Sequence, residues 1–269
     1  MPVIASKPDF IIQSASSLNQ NRDELDANTH FTVARHGEDW LLLVPTGSIE
    51  PSGMVIGFTY PNQTGWVGFF IMNEGYRGRG WGAALFKAML DTYQKNGIHT
   101  VGLDAVQEQV NTYARREFVE AARIKLMTRV SAHEVPISYA DKQPKQGHRV
   151  TDIREVDARA MASLDHAHTG LYRPALWTEE ALFSRPDAFG FAILSEASDD
   201  LQGLILIRRL IAETFGPNEH AARVFSDLGW QWAGVDYHRM WLKGRVPIEQ
   251  QEGGKGPRGM FAVFDAGQG

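Results

Sequence analysis

Cysteine is absent from all 269 residues of the sequence. This absence excludes disulfides, Cys-ligated zinc and a thiol nucleophile together. An excess of positive charge is also missing, because 27 Lys and Arg residues stand against 32 Asp and Glu residues and the net charge is −5. The sequence therefore carries no strongly basic surface of the kind that binds nucleic acid.

Long hydrophobic runs are missing as well. Stretches such as WLLLV are far too short to cross a bilayer. The first residues, MPVIASKPDFIIQSAS, lack the basic and apolar regions of a signal peptide. Hydrophobic residues make up 43% of the chain and charged residues 22%, which are ordinary values for a globular protein. We therefore expect a cytoplasmic protein that does not bind membranes.

The first half alternates between strand and helix patterns. Early strands are predicted in HFTVARH and DWLLLVP, followed by a hairpin of MVIGFTYP and GWVGFFIMN around the turn PNQTG. From Trp81 to Tyr93 the apolar positions recur with helical spacing, and Gly97 supplies a C-terminal stop. The strand HTVGLDAV, a short helix at 108–117 and the strand ARIKLMTRV complete this unit.

The second half begins after a polar segment. Residues 131–149 contain two prolines, so we place a linker there, between one domain at 1–130 and another at 150–269. Helices are predicted in VTDIREVDARAMASLDHAH, TEEALFSRP and NEHAARVFSDLGW, and strands in FGFAILS, LQGLILIRR and DYHRMWLKG. EQQEGGKGPRG is expected to be a mobile loop before a last strand, MFAVF.

The two halves show a weak internal repeat. The helix end and strand after Tyr113 resemble those after Phe225, and the strand around Gly57 resembles the strand around Gly203. From Gly57 to Phe118 the separation is 61 residues, whereas from Gly203 to Trp230 it is 27, which is 34 fewer. The second copy is therefore predicted to lack a glycine loop, the helix after it and the following strand.

That glycine loop, RGRGWG at residues 77–82, stands between an apolar strand and an amphipathic helix. Amide groups at a helix N-terminus bind anions, helped by the helix dipole. Glycines let the main chain approach a pyrophosphate closely, and Arg77 and Arg79 add charged donors. The loop therefore predicts a diphosphate site.

Two familiar phosphate loops fit less well. A P-loop needs Lys-Ser or Lys-Thr after its glycines, and neither is present here. Gly78, Gly80 and Ala83 do satisfy the dinucleotide pattern G-x-G-x-x-A, and Asp104 stands 26 residues beyond Gly78, where a ribose-binding acid would lie. Against a dinucleotide site, EGYR separates the strand from the first glycine and the preceding strands form a hairpin meander.

The pattern Arg77-x-x-Gly80-x-Gly82 between a strand and a helix resembles the signature of the GNAT superfamily of N-acetyltransferases. The resemblance covers most of residues 31–130, with Glu74 in place of a frequent proline and Glu117 in place of a glycine. It implies an α/β (α+β) fold with a mixed, mostly antiparallel sheet flanked by helices. The second half resembles the C-terminal domain of tandem GNAT proteins in GPNEHAARVFSDLGW and YHRMWLKG, which implies two tandem units with the second incomplete.

The resemblance also implies the cofactor and its ligands. The cosubstrate is acetyl-CoA, and its pyrophosphate lies on the loop formed by Arg77, Gly78, Arg79, Gly80, Trp81 and Gly82. Main-chain amides near Ile71 and Met72 are implied to hold the pantetheine and polarise the thioester. Tyr113 stands where many members of the family have a tyrosine that protonates the CoA sulfur, although an aromatic residue packed on the sheet explains it equally well.

Other candidates for the chemistry are weaker. Asp104 is predicted near the end of a strand. It could act on the amine, by deprotonating or anchoring it, or it could be a turn residue. DHAH, at 165–168, does not predict a metal site, because histidines at i and i+2 do not share a helix face. Arg173 and Trp177 either line a substrate pocket between the halves or pack at their interface.

The sequence thus predicts transfer of an acetyl group from acetyl-CoA to a primary amine. With no cysteine to carry an acyl group, direct attack in a ternary complex is expected. The acceptor is a small-molecule or a protein amine, and a homodimer is an allowed state. A non-catalytic acyl-CoA-binding or regulatory protein is the alternative function, followed by a dinucleotide-binding oxidoreductase.

Overall fold

The computed structural model describes residues 2–15, 25–129, 143–207 and 211–269. The strands are β1 Val3–Ser6, β2 Phe10–Ser14, β3 Trp40–Pro45, β4 Gly53–Thr59, β5 Thr64–Met72, β6 Thr100–Val106, β7 Phe118–Thr128, β8 His148–Asp152, β9 Phe189–Ser195, β10 Leu201–Ile207, β11 Ile211–Phe215 and β12 Gln231–Leu242. The α-helices are α1 Leu25–Val33, α2 Trp81–Lys95, α3 Val110–Ala114, α4 Ala158–Thr169, α5 Ala221–Asp227 and α6 Lys255–Gly259. Short 3₁₀ turns lie at Glu74–Tyr76, Gln107–Gln109, Ile153–Glu155, Pro174–Leu176 and Ile248–Gln250, and a π-helical turn lies at Glu179–Phe183.

The strands form two sheets. The larger sheet has the order β1-β2-β3-β4-β5-β6-β12-β7-β11, and the smaller has the order β10-β9-β8. Among the pairings of the described strands only β5 with β6 is parallel, and the rest are antiparallel. The predicted fold class, a mixed and mostly antiparallel sheet flanked by helices, is confirmed.

The larger sheet has a hydrophobic core on each face. On one face α2 packs with its apolar stripe against the strands, and the buried members of that stripe are Leu85, Phe86, Ala88, Met89 and Tyr93. On the other face α1 and elements of the second half share a core that contains Trp66, Trp241 and Met161. Helices α2 and α4 thus lie on opposite faces of the larger sheet.

The two halves exchange their last strands. β12 of the second half lies between β6 and β7 of the first half, and β7 lies between β12 and β11. The units β6–α3–β7 and β11–α5–β12 correspond in order, as the internal repeat predicts, and their strands alternate at one end of the larger sheet. Within the described residues, the second half passes from β10 to β11 and α5 with no counterpart of α2. Of the predicted linker at 131–149, residues 131–142 lie outside the described residues.

Two strand predictions are wrong. HFTVARH lies mostly in α1, because His30, Val33 and Ala34 are buried and their spacing of three and four residues is helical. MFAVF forms only an isolated bridge between Ala262 and Thr214. Alternate residues of a strand share a face, but the buried residues Met260 and Val263 of this segment are three apart.

Several predicted boundaries also change. Residues 150–152 of the predicted helix belong to β8, and α4 begins only after Asp157, whose side chain caps the amides of Arg159 and Ala160. The predicted loop at 249–259 includes α6. It is docked on α4, since a Cβ on Gly256 or Gly259 would meet His168 at 2.8 or 2.6 Å. In the described parts of the chain no helix is long and apolar enough to span a membrane.

The outer face of the small sheet is apolar and exposed. Side chains of β9 alternate between buried and exposed, and the exposed apolar residues of the small sheet are Val150, Phe189, Phe191, Ile193 and Ile205. This surface is where the missing counterpart of α2 would pack. The homodimer that the sequence allows stays a prediction.

Candidate active site

The sheet opens between β5 and β6. The two strands pair only from Thr64–Thr100 to Trp66–Gly102. Beyond that point the edge of β5 that faces β6 has no strand partner among the described residues. The register between β4 and β5 shifts between Met54 and Ile56, and Phe69 on β5 has φ +52°. A bulge of this kind bends the strand and leaves main-chain groups unpaired, so it prepares a cleft with free amides.

The bulge interrupts the alternation of side chains, so that Gly68 and Phe69 lie on the face opposite α2 and Phe70 lies on the face of α2. The ring of Phe69 lies 4.4 Å from that of His30 in α1, while Phe70 lies 5.2 Å from Phe86 in α2. The next residues, Ile71 and Met72, are the predicted pantetheine ligands. The Ile71 side chain is exposed, and the Met72 carbonyl accepts a hydrogen bond of 2.9 Å from Arg77 Nε. Both residues therefore lie at the open end of β5, and residues 73–76 separate them from the glycine loop.

The glycine loop has the geometry of an anion cradle. Gly78 and Gly80 have φ values of +76° and +78°, which favour glycine, and a Cβ on either would meet no atom within 4 Å. Helix α2 begins at Trp81 and runs for 15 residues, so its dipole points at the loop. The main-chain amides of residues 78–83 have no hydrogen-bond acceptor among the described residues. Free amides at a helix N-terminus are suited to an anion. The predicted diphosphate site at this loop stays a prediction.

The remaining loop residues are held in place. Arg79 donates to the Gly75 carbonyl at 3.0 Å and its guanidinium lies over the rings of Tyr76 and Trp81, at 5.2 and 5.6 Å. These contacts fix a positive charge beside the free amides. Gly82 is tightly packed, since a Cβ there would lie 3.2 Å from Met72 and 3.4 Å from Phe70. Its bare backbone therefore lets α2 approach β5.

Tyr113 lies on α3, on the same face of the sheet as α2. Its ring packs at 5.8 Å from Phe86 and 6.2 Å from Phe118. Burial raises the pKa of the Tyr113 phenol, which the nearby charge of Arg116 partly opposes. The phenol is therefore protonated at neutral pH. The packing explanation for this tyrosine is supported, and its role as a proton donor stays a prediction.

Asp104 lies inside β6, two residues before the end of the strand. Its carboxylate and the Arg239 guanidinium are both fully buried, and they form two hydrogen bonds of 2.9 and 2.7 Å. Burial raises the pKa of Asp104, while the paired Arg239 opposes that rise. Because both carboxylate oxygens accept from one arginine, the geometry favours a positioning role over proton transfer.

The residues around DHAH form a structural network. Asp165 accepts two hydrogen bonds from Arg173, at 2.9 and 2.6 Å, and one of 3.3 Å from Trp177 Nε1. Arg173 also donates to the main-chain oxygens of Gln268 and Gly269, at 2.9 and 2.8 Å. No group of potential metal ligands is found in the described ranges. Arg173 thus joins α4 to residues 268–269, while Trp177 binds Asp165. Both side chains are buried, although Arg173 also lines a cavity beside Tyr60 and Pro174.

Residues 264–269, called here the tail segment, were not predicted to belong to the site. The segment crosses the face of the cleft opposite α2. The Trp66 Nε1–H donates to the Ala266 carbonyl at 3.0 Å, Gly267 lies against Gly68, and the Tyr60 hydroxyl donates to the Gln268 carbonyl at 2.9 Å. These contacts join residues about 200 positions apart, so no local pattern in the sequence could have indicated them.

Glu213 on β11 was also missed. Its carboxylate accepts a hydrogen bond from the Ala266 amide, whereas its Oε2 is buried and has no hydrogen-bond partner among the described residues. Burial, aided by the charges of Asp265 and Asp104, raises the pKa of Glu213 to about 8. The one signal in the sequence was the alternation of side chains along this strand, which could have suggested that Glu213 faces inward.

Part of this sequence is similar to known proteins. Residues 8–120 match the model of the Acetyltransferase (GNAT) family. The holothin acyltransferase of Pseudoalteromonas sp. (strain SANK 73390) is 28% identical over 163 residues, which are 60% of this chain and 49% of that protein. The chain thus spans about half the length of the curated relative it matches.

Solved structures share the fold over nearly the whole chain. A candidate acetyltransferase from Pyrococcus horikoshii has a TM-score of 0.69 at 17% identity and covers 98% of both chains. A GCN5-related N-acetyltransferase from Sphaerobacter thermophilus has a TM-score of 0.56 at 11% identity, over 88% of this chain and 96% of that one. A tandem GNAT protein from the clavulanic acid biosynthesis pathway has a TM-score of 0.51 at 12% identity, over 87% and 98%. At these identities the likeness shows the fold.

Proposed function

We propose that this chain, in which residues 8–120 match the model of the Acetyltransferase (GNAT) family, transfers an acetyl group from acetyl-CoA to a primary amine. The observation that carries the proposal is the row of free amides at residues 78–83, beside two glycines with open space. A pyrophosphate bound there would share the amides, the α2 dipole and the charge of Arg79. Acetyl-CoA supplies an activated thioester, and the protein would hold that thioester in place for attack.

The acetyl group reaches the opening between β5 and β6 in this proposal. Main-chain amides near Ile71 and Met72 would hold the pantetheine and donate to the thioester oxygen as negative charge develops on it. The amine would attack the same carbonyl carbon directly, because the sequence has no cysteine to form an acyl-enzyme. Both substrates must therefore be bound at once, in a ternary complex.

The experiment that tests the proposal measures CoA release from acetyl-CoA with a panel of amines: polyamines, amino sugars, amino acids and peptides with free N-termini or lysines. Amine-dependent release is expected with at least one class. Tight acetyl-CoA binding without turnover would instead identify an acyl-CoA-binding or regulatory protein. A rise in melting temperature with NADPH and none with acetyl-CoA would show that the dinucleotide alternative is right.

Tyr113→Phe is expected to lower kcat about tenfold and to leave the acetyl-CoA Kd unchanged. A raised phenol pKa makes complete proton transfer to a thiolate unfavourable, since a thiol has an ordinary pKa near 8.5. Tyr113 would therefore act mainly as a hydrogen-bond donor to the departing sulfur, which is a modest contribution. Single-turnover kinetics checks this step, and Phe86→Leu is a control for loss of packing. An unchanged rate of the chemical step would assign Tyr113 to packing alone.

One acetyl-CoA is expected to bind per chain. The nearest substitute for the cradle in the second half is the turn Phe215–Asn218, and its amides are already used. The Gly216 amide donates to Arg123 and the Asn218 amide donates to Phe215, at 2.8 and 3.0 Å, and Pro217 has no amide hydrogen. Isothermal titration calorimetry with acetyl-CoA measures the stoichiometry. Two equivalent sites would show that the second half has a cradle of its own.

A further inference from the structure

The face of the cleft opposite α2 is built by the second half of the chain. The cradle and α2 lie on one face of the sheet, so in the proposed function the amine reaches the thioester from the other face. On that face the tail segment lies against Trp66 and Gly68 at the start of the opening. β11 runs beside the tail segment, with the Val263 amide donating to the Glu213 carbonyl at 2.8 Å.

Three carboxylates lie near this face, and in two of them both oxygens have partners within the protein. Asp104 binds Arg239 through both oxygens. Asp265 accepts a hydrogen bond of 2.6 Å from the Gly267 amide, and its Oδ2 lies 3.5 Å from His30 Nε2. Glu213 differs, because its Oε2 is buried without any hydrogen-bond partner among the described residues. A buried acceptor left unpaired is costly unless a ligand uses it.

We propose that Glu213, supplied by the second half, binds the acceptor amine and takes its proton. The inference rests on the proposed function. The ammonium gives one proton to the Glu213 carboxylate, and the neutral nitrogen attacks the acetyl carbonyl. The new C–N bond forms as the C–S bond breaks, the thiolate leaves with the electron pair, and it is protonated to CoA. The surplus proton on Glu213 returns to solvent, so that an ammonium and acetyl-CoA yield an amide, CoA and one proton.

The charges around Glu213 suit a cationic acceptor. The groups that face it are Asp265 of the tail segment, Asp104 of β6, and Arg239 and Tyr237 of β12, and the first two raise its pKa while Arg239 lowers it. His30 of α1 lies behind Asp265. With a pKa of about 8, most of Glu213 is protonated at pH 7, and the base form increases as the pH rises through 8. An arriving ammonium favours the charged carboxylate.

The test compares wild type with Glu213→Gln, using an amine from the panel that wild type acetylates. Between pH 6 and 9 wild-type kcat/KM is expected to rise with an apparent pKa near 8. Glu213→Gln should lower kcat/KM at pH 8.5 about a hundredfold, abolish that rise and keep the acetyl-CoA Kd. Glu213→Asp should retain the rise, and Glu219→Gln, an exposed acid of the same half, should behave as wild type.

The results separate this inference from the proposed function. Equal profiles for wild type and Glu213→Gln, with an amine that is acetylated, would overturn the role of Glu213 alone. If wild type acetylates no amine, the proposed function fails. The same variants are then compared in the slow hydrolysis of acetyl-CoA, where water replaces the amine. Loss of the pH-dependent rise in Glu213→Gln would still support the base, and an unchanged rise would reject it.

Discussion

Replacing Gly80 with leucine is expected to weaken acetyl-CoA binding at least tenfold, which corresponds to ~1.4 kcal/mol. Gly80 caps α2 with φ +78°, and its missing Cβ faces open space beside the free amides. A leucine side chain would fill the space in which the phosphates approach these amides. The same substitution strains the backbone, because this φ is costly for any residue with a Cβ.

Gly97→Leu separates the two effects. Gly97 lies just beyond the other end of α2, has φ +71° and would also meet no atom within 4 Å with an added Cβ. It therefore carries a similar backbone penalty at a distance from the cradle. Calorimetric titration of acetyl-CoA should give a wild-type Kd for Gly97→Leu and a raised Kd for Gly80→Leu. Equal acetyl-CoA Kd values for both variants and wild type would show that the phosphates of acetyl-CoA do not bind at this loop.

The strand, loop and helix around RGRGWG could be predicted from the sequence because their geometry depends on local chemistry. Two glycines at positive φ, flanking arginines and a helix start all lie within a few residues, and each has a separate physical reason. The hairpin of β4 and β5 was equally local, with a turn of Pro, Asn and Gly between alternating strands. Such features need no knowledge of where distant segments pack.

Distant pairing explains what could not be predicted. The periodicity of DYHRMWLKG indicates a strand, but nothing in it shows that β12 inserts between β6 and β7 of the other half. Asp104 looked like a residue near a strand end, because its partner Arg239 is 135 residues away. Glu213 and the tail segment were missed for the same reason. The proposed cofactor side of the site consists of residues that are close in sequence, whereas the proposed acceptor side is assembled by the fold from distant residues.

The Asp104–Arg239 pair is expected to dominate stability where the halves join. Asp104→Leu should lower the free energy of unfolding by ~3–5 kcal/mol, because it leaves a fully buried guanidinium without its counter-ion. Arginine cannot lose its proton to escape this cost. The guanidinium lies 4.7 Å from the ring of Trp66 and 5.7 Å from that of Phe215, and those contacts replace only part of the lost pairing.

Arg239→Met should cost less, and its cost should depend on pH. The unpaired Asp104 carboxyl can neutralise itself by binding a proton, so its folded-state pKa would exceed its unfolded value near 3.9. A group with a raised folded pKa stabilises the protein at low pH and loses that contribution as the pH rises through the folded pKa. The deficit of Arg239→Met against wild type should therefore be smaller at pH 5 than at pH 8, whereas that of Asp104→Leu should change little.

The double variant completes the cycle. Asp104→Leu with Arg239→Met places two apolar side chains across β6 and β12, and hydrophobic replacement of a buried pair is often close to neutral. We expect it to recover most of the stability lost by Asp104→Leu, as measured by urea unfolding with an unchanged m value. Additive losses in the double variant would mean that the two residues do not stabilise the sheet as a pair. A full recovery with reduced acetyl transfer would show that this ion pair, which joins the exchanged strand to the first half, positions the acceptor face for catalysis.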